Sequence, residues 1–342
     1  MSRLTGLALL LSAGIAQAAA PDAMLVRMSE AARDVNYEGV VIYQAQNRLE
    51  TLKVVHGFRD GVELERVEAL TGAPREIVKR DGKVICLLPR DRRFTLDRPT
   101  PKGLFPTLTP ERMAQMATIY QFENIGSARV AGRDCRGIAI APRDNYRYGY
   151  QIWADAETHV PLKVSLVARD GRVLEQMMFT EVRFPEEIVD ARFDEALAEH
   201  EERIAVAEAR QEEQQAAGDA GWRFGSLPPG FRVTMRSLRQ TADGRGVVEH
   251  VVLTDGLTAI SVFSAQQRET SVPVFEGQSR MGAVHAFGRV MGRVHITVVG
   301  EAPEETIRLI SESVQLPEAG PGAPVLVDTA PTAGATPQQA PD

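Results

Sequence analysis

From Asn36 to Leu70 the chain reads NYEGVVIYQAQNRLETLKVVHGFRDGVELERVEAL. Three extended segments stand out, Glu38–Gln46, Leu49–Phe58 and Val62–Leu70, rich in Val, Tyr and Leu, with turn chemistry at Asn47 and at Asp60-Gly61. Asp-Gly supplies the left-handed backbone that a two-residue hairpin turn demands, so the stretch predicts an antiparallel meander. Further segments of the same kind follow at Arg75–Lys79, at Lys83–Leu88 after Asp81-Gly82, at Cys135–Ala141, Tyr146–Trp153 and Leu162–Ala168, and at Arg172–Phe184 after Asp170-Gly171. The recurring Asp-Gly turns predict one continuous antiparallel sheet.

Two helices interrupt these strands. Met24–Val35 places Leu25, Met28, Ala32 and Val35 near one face, and Pro110–Ile119 opens with Thr109 as N-cap, proline at the first helical position and Glu111 in the first turn. Prolines at 89, 99, 101, 106 and 110 predict a long loop ahead of the second helix. From Asp190 to Ala217 the chain turns acidic, with seven Glu against two Arg between Glu195 and Gln215 and mostly Ala as apolar content. Such a segment has little to bury and predicts a solvated helical linker ended by Gly218. A second, α+β domain begins at Trp222 and Leu227-Pro228-Pro229-Gly230-Phe231. Its expected strands are Arg232–Gln240, Val247–Leu253, Leu257–Ala265, Gly282–Val290 and Arg293–Val299, closed by a helix at Pro303–Val314. The division expected is a signal peptide at 1–20, a first domain at 21–189, a linker at 190–221, a second domain at 222–316 and a Pro/Ala-rich disordered tail at 317–342.

Composition narrows the function. The chain has 342 residues, 44% of them hydrophobic, and 46 acids against 39 bases give a net charge of −7, which argues against a nucleic-acid binder. Arg3, the apolar run Leu7–Leu11 and Ala16-Gln17-Ala18-Ala19-Ala20 have the three regions of a secretory signal, so the mature protein is expected in an exported, oxidising compartment. With 2 Cys and 6 His there is no multi-ligand metal module, and no metal or cofactor is expected. G-x-S-x-G, Walker and G-x-G-x-x-G signatures are absent, and His200-Glu201-Glu202-Arg203-Ile204 lacks the second His of a zincin. No catalytic residues are assigned and the protein is read as a non-enzyme. Cys86 and Cys135 fall in strands of one sheet, either as a disulfide or as two buried thiols.

One apolar pattern leaves two readings open. Val40-Val41-Ile42-Tyr43 and Val84-Ile85-Cys86-Leu87-Leu88 are apolar at every position, where a sheet with one wet face would alternate. Either both faces are core, or one packs on the helices while the other lines a cavity suited to an acyl chain.

Several stretches together resemble a known family. They are Asn36-Tyr37-Glu38-Gly39, Gly72-Ala73-Pro74-Arg75-Glu76-Ile77-Val78, Tyr148-Gly149-Tyr150-Gln151-Ile152-Trp153 with Pro161-Leu162, and Asp170 to Gln176 in the first domain. In the second they are Leu227 to Phe231, Thr254-Asp255-Gly256-Leu257 and Val298-Val299-Gly300-Glu301. In order and across both domains they resemble the RseB/MucB family, periplasmic regulators of the envelope-stress sigma factor. The resemblance implies a mainly β first domain, a half-barrel covered by helices like the carriers LolA and LolB, beside a smaller second domain. It implies binding to the periplasmic domain of a RseA/MucA-like anti-sigma factor, shielding of that factor from proteolysis, and release when lipopolysaccharide or another acylated lipid is sensed. The first domain is then the lipid compartment, with Val41, Tyr43, Leu87, Ile140, Ile152, Leu166 and Met177 as its candidate lining. Arg90, Arg92, Arg93 and Lys102 are candidates for lipid phosphates, and Phe231, Asp255 and Leu257 for the protein partner. A homodimer is compatible with this reading, and a periplasmic lipid or lipoprotein carrier is the alternative.

Overall fold

The computed structural model describes residues 20–80, 83–87, 108–188, 222–240, 247–266 and 275–315. Of the expected signal peptide only Ala20 is among them; the acidic linker and the tail lie outside, as do Arg90, Arg92, Arg93 and Lys102.

The meander expected around residue 50 is the left half of a ten-stranded sheet. Strands β1 (Tyr37–Ala45), β2 (Arg48–Arg59), β3 (Val62–Ala69), β4 (Glu76–Arg80) and β5 (Lys83–Leu87) run outward in sequence order. Strands β6 (Tyr120–Val130), β7 (Arg133–Pro142), β8 (Gly149–Asp155), β9 (Pro161–Val167) and β10 (Val173–Arg183) run back inward, and β10 pairs with β1 in the middle of the sheet. Every ladder is antiparallel. The β2–β3 turn has Asp60 at φ 53° and Gly61 at φ 83°, the left-handed pair that Asp-Gly was expected to supply. Strand β6 was not expected, for a local reason: its register with β7 shifts between Asn124 and Gly126, so the apolar alternation that would announce it breaks midway.

The sheet is strongly curled. Strands β6 and β10 are four places apart, which in a flat sheet is about 19 Å, yet they approach within 8 Å. Helix α1 (Pro21–Asp34) and helix α2 (Pro110–Met116) fill the concave side. Met24, Leu25 and Met28 of α1 and Met113 and Met116 of α2 pack with Tyr120, Ile138, Ile140 and Ile152. Thr109 caps α2 by accepting from the Arg112 N–H at 3.3 Å, and Ser29 Oγ ties the helices together by accepting from Leu108 N at 2.7 Å. Further along the same face Ala31, Tyr37, Val41, Val54 and Phe179 form a second cluster. Val41 is fully buried while Val40, Ile42 and Tyr43 are half-buried, so the unbroken apolar run of β1 meets protein most fully on its inner face.

Cys135 belongs to this inner cluster as a free thiol, its Sγ 3.6 Å from the Arg133 carbonyl oxygen it donates to. The possible Cys86–Cys135 disulfide is therefore not formed. Cys86 lies in β5 and Cys135 in β7, with seven strands between them in the sheet order. Measured along the sheet that is about 38 Å, against a disulfide reach of about 7 Å between Cα atoms.

The second domain is a six-stranded antiparallel sheet in the order β12-β13-β14-β17-β16-β15. Its strands are β12 (Arg232–Gln240), β13 (Val247–Thr254), β14 (Ala259–Gln266), β15 (Gly277–Met281), β16 (Val284–Met291) and β17 (Val294–Gly300). Helix α3 (Glu304–Ser313) covers one face, packing Ile307 and Ile310 on Val251, Val262, Ile296 and Val298. A two-stranded ladder of β11 (Arg223–Phe224) and β18 (Val314–Gln315) closes the end beside Trp222. Strand β15 was not expected: Gly-Gln-Ser-Arg-Met is an exposed edge with no buried face to impose a pattern.

Candidate functional site

The two domains meet over a buried polar joint. Arg147, in the loop before β8, is 1% exposed and is held on every side. Its Nε and Nη2 donate to Asp144 at 3.0 and 2.9 Å, its Nη2 also to the Pro229 carbonyl at 2.6 Å, and its Nη1 to Asp255 Oδ2 at 2.7 Å. Tyr120 Oη donates to the same Asp255 oxygen at 2.9 Å. The other carboxylate oxygen, Oδ1, accepts from the N–H groups of Leu257 and Thr258 at 2.9 and 2.8 Å, closing the turn after β13. The guanidinium carbon lies 5.1 Å from the Phe231 ring centre and 5.5 Å from that of Tyr120, so aromatic faces flank the charge from both domains.

Electrostatics follow from this packing. Burial alone would lower the Arg147 pKa, but the hydrogen bond to Asp144 and the Asp255 charge outweigh it and hold it above its ordinary value. Burial first, then the Asp255 charge, push the Tyr120 hydroxyl well up, so it stays a protonated donor. A buried ion pair is stable only when its other polar atoms find partners, and here all three guanidinium nitrogens of Arg147 and both carboxylate oxygens of Asp255 have one.

Apolar contacts surround the joint. Leu257 inserts among Met116, Ile119 and the helix-covered residues of the first domain. Gly230 has φ +81°, and a Cβ there would stand 2.6 Å from Ile119 Cδ1, so this approach is open only to glycine. Thr306 of α3 donates to the Tyr146 carbonyl at 2.9 Å. Tyr148 Oη lies 3.4 Å from His285 Nδ1, which itself donates to the Ala302 carbonyl at 2.8 Å.

The structure distributes the sequence-selected residues as follows. Phe231, Asp255 and Leu257 come together, all buried, and what they touch is the first domain. Val41, Tyr43, Ile140, Ile152, Leu166 and Met177 share the inner face: cross-strand rows run Ile140–Tyr150–Leu166–Glu175 and Ile138–Ile152–Val164–Met177–Tyr43. Val41, Ile140 and Ile152 are packed as core, while Tyr43 and Met177 are half-buried. Leu87 pairs with Glu76, in the row of Lys53 and Glu68, one position off the row of Val41. Sequence reasoning missed Arg147, whose only visible signal is Asp144 three residues before it.

Among the described residues no group of three or more His, Cys, Asp or Glu could hold a metal, and no helix is long and apolar enough to cross a membrane. A curled sheet filled by helices and joined to a second, six-stranded domain through a buried ion pair defines a two-domain, mainly β protein. The chain belongs to the MucB/RseB family: the model of its N-terminal domain matches residues 20–197 and that of its C-terminal domain residues 216–315. It is 30% identical over 326 residues to the sigma factor AlgU regulatory protein MucB of Pseudomonas aeruginosa, covering 93% of this chain and 98% of that one. To the sigma-E factor regulatory protein RseB of Escherichia coli K12 it is 28% identical over 317 residues, covering 92% and 96%. Among solved structures it is similar to the MucA/MucB complex of Pseudomonas aeruginosa, with a TM-score of 0.68 at 27% identity over 86% of this chain and 98% of that one. MucB in complex with MucA(peri) gives a TM-score of 0.67 at 26% identity, covering 87% and 99%.

Proposed function

We propose that this protein is a non-enzymatic negative regulator, exported to the periplasm, that binds the periplasmic segment of a membrane-spanning anti-sigma factor. It shields that segment from proteolysis and lets go when an acylated lipid such as lipopolysaccharide occupies the first domain. The observation that carries the reading is the likeness, across both domains, to a MucB structure solved together with MucA. The apolar inner face of the first domain supports the lipid half of it. Release is then linkage: a lipid that favours a conformation poor at holding the partner weakens the partner by the same free energy with which the partner weakens the lipid.

The test is titration of the mature protein with the periplasmic segment of its cognate anti-sigma factor, with and without lipopolysaccharide, followed by calorimetry. Tight binding that lipid weakens supports the regulator. Binding of acylated lipid with none of the anti-sigma segment transfers the protein to the carriers and overturns the regulatory reading.

A further inference from the structure

At the far end of the domain contact, the turn between β15 and β16 enters the inner face of the ten-stranded sheet. Ala283 has no exposed surface and packs with Tyr148, Leu166 and Leu174. Tyr150 packs against both this cluster and the one beneath α1 and α2, so the apolar surface that Ala283 covers adjoins the helix-covered core. Gly282, at φ +69°, lies so close to the sheet that a Cβ on it would stand 3.4 Å from Glu175 Oε1 and 3.8 Å from Gln46 Cγ. Glu175 in turn accepts the Tyr43 hydroxyl at 2.7 Å. A single methyl group of the second domain thus closes the end of the apolar row Ile140–Tyr150–Leu166. The strand leading into the turn is exposed at all five residues, and Met281 is 61% exposed, so little besides Ala283 anchors that side of the hairpin.

We propose that the slot bounded by Tyr148, Tyr150, Leu166 and Leu174 is a site for an alkyl chain, and that the chain and the β15–β16 turn occupy it in alternation. The inference deepens the lipid-sensing half of the function proposed above and rests on it. A run of methylenes against two tyrosine rings and two leucines removes more apolar surface from water than one alanine methyl, and it brings no polar group that the slot would leave unpaired.

The consequence for the domains comes from three consecutive residues. Tyr146 accepts from Thr306 of α3, Arg147 pairs with Asp255, and Tyr148 packs on Ala283 and approaches His285. One short strap therefore holds the second domain at three points, and lifting the turn at Tyr148 removes a contact adjacent to the ion pair. Alkyl occupancy and domain docking are thereby opposed, which is the differential affinity a sensor needs.

Two full-length variants with opposite expected signs test this, using a dansyl-labelled dodecanoate as probe and fluorescence titration as readout. Ala283→Glu cannot seat its carboxylate in the slot, and it should bind the probe at least five-fold more tightly than the wild type. A Gln46→Cys, Gly282→Cys pair, its crosslink verified by mass, fixes the turn in place; it should bind at least five-fold more weakly when oxidised and recover on reduction. Wild-type affinity in the oxidised, crosslinked protein overturns the inference while leaving lipid sensing intact. Failure of every form to bind the probe overturns both, whereas anti-sigma binding is read separately.

Discussion

Arg147 and Asp255, 108 residues apart in the chain, form a 2.7 Å ion pair whose side chains are both 0% exposed. Each comes from a different domain, so the pair exists only when the domains are docked. Removing one partner from such a pair leaves the other charge buried and uncompensated, at a cost of about 3–5 kcal/mol. Asp255→Ala also strands the Tyr120 hydroxyl and the Leu257 and Thr258 N–H groups. Scanning calorimetry should then resolve two unfolding transitions in place of one, with a larger radius of gyration in solution scattering. A single transition at an unchanged midpoint would show that the pair does not hold the domains.

Gly230→Ala attacks the same contact without touching a charge. The left-handed backbone costs a non-glycine residue about 1–2 kcal/mol, and the new methyl meets Ile119 at 2.6 Å. The variant should loosen docking as Asp255→Ala does while keeping the circular dichroism of both folded domains.

On the first domain's sheet, Glu63 lies 2.7 Å from Lys79 Nζ and 3.5 Å from His56 Nε2. His56 first, and Lys79 after it, hold the Glu63 pKa down at about 2 against burial that would raise it. A carboxylate depressed in the folded state contributes stability that is fully present above its unfolded pKa, near 4.5, and is lost as pH falls from there towards 2. Urea unfolding at pH 7 and pH 3 should show this loss, and Glu63→Gln should make the pH dependence shallower in that window. An unchanged slope in the variant would remove Glu63 from the account.

Cys135 offers a chemical check on the core. Burial, then the nearby Asp155 charge, push its thiol up to about 11. At pH 8 roughly one molecule in a thousand carries the thiolate that reacts. In a Cys86→Ser variant the remaining thiol should therefore resist Ellman's reagent in the native protein and react at once in 6 M guanidinium chloride. Rapid native labelling would mean that the inner cluster opens to solvent.

How much of this could be read in advance depended on the range of the signal. Asp60-Gly61 announced its turn because the two residues carry the required backbone themselves. Strand β6 went unread because the shift at Gly126 breaks the local alternation, and β15 because it buries nothing. Asp255, Phe231 and Leu257 were expected from the resemblance to meet the protein partner, and in the structure they lie together against the first domain. What they contact was hidden: an arginine three residues after an aspartate looks like a surface pair, and only folding brings Asp255 to it. Ile140, Leu166 and Tyr43 were grouped as candidate lining of one compartment, but which of them share a cross-strand row only the ladders fix.

The ladder between β1 and β10 carries a consequence for how the protein is made. Glu38 pairs with Arg183 and Val41 with Phe179, so the seam in the middle of the sheet joins nearly the first residues of the domain to nearly its last. Each half is a local meander able to form early, but until the seam zips both halves present a long raw edge to any passing strand. Newly made chains therefore traverse a sticky, half-assembled stage. They leave it only once Val173–Arg183 has emerged and docked, which makes this eleven-residue strand, more than any part of the joint, the piece on which the yield of folded protein turns.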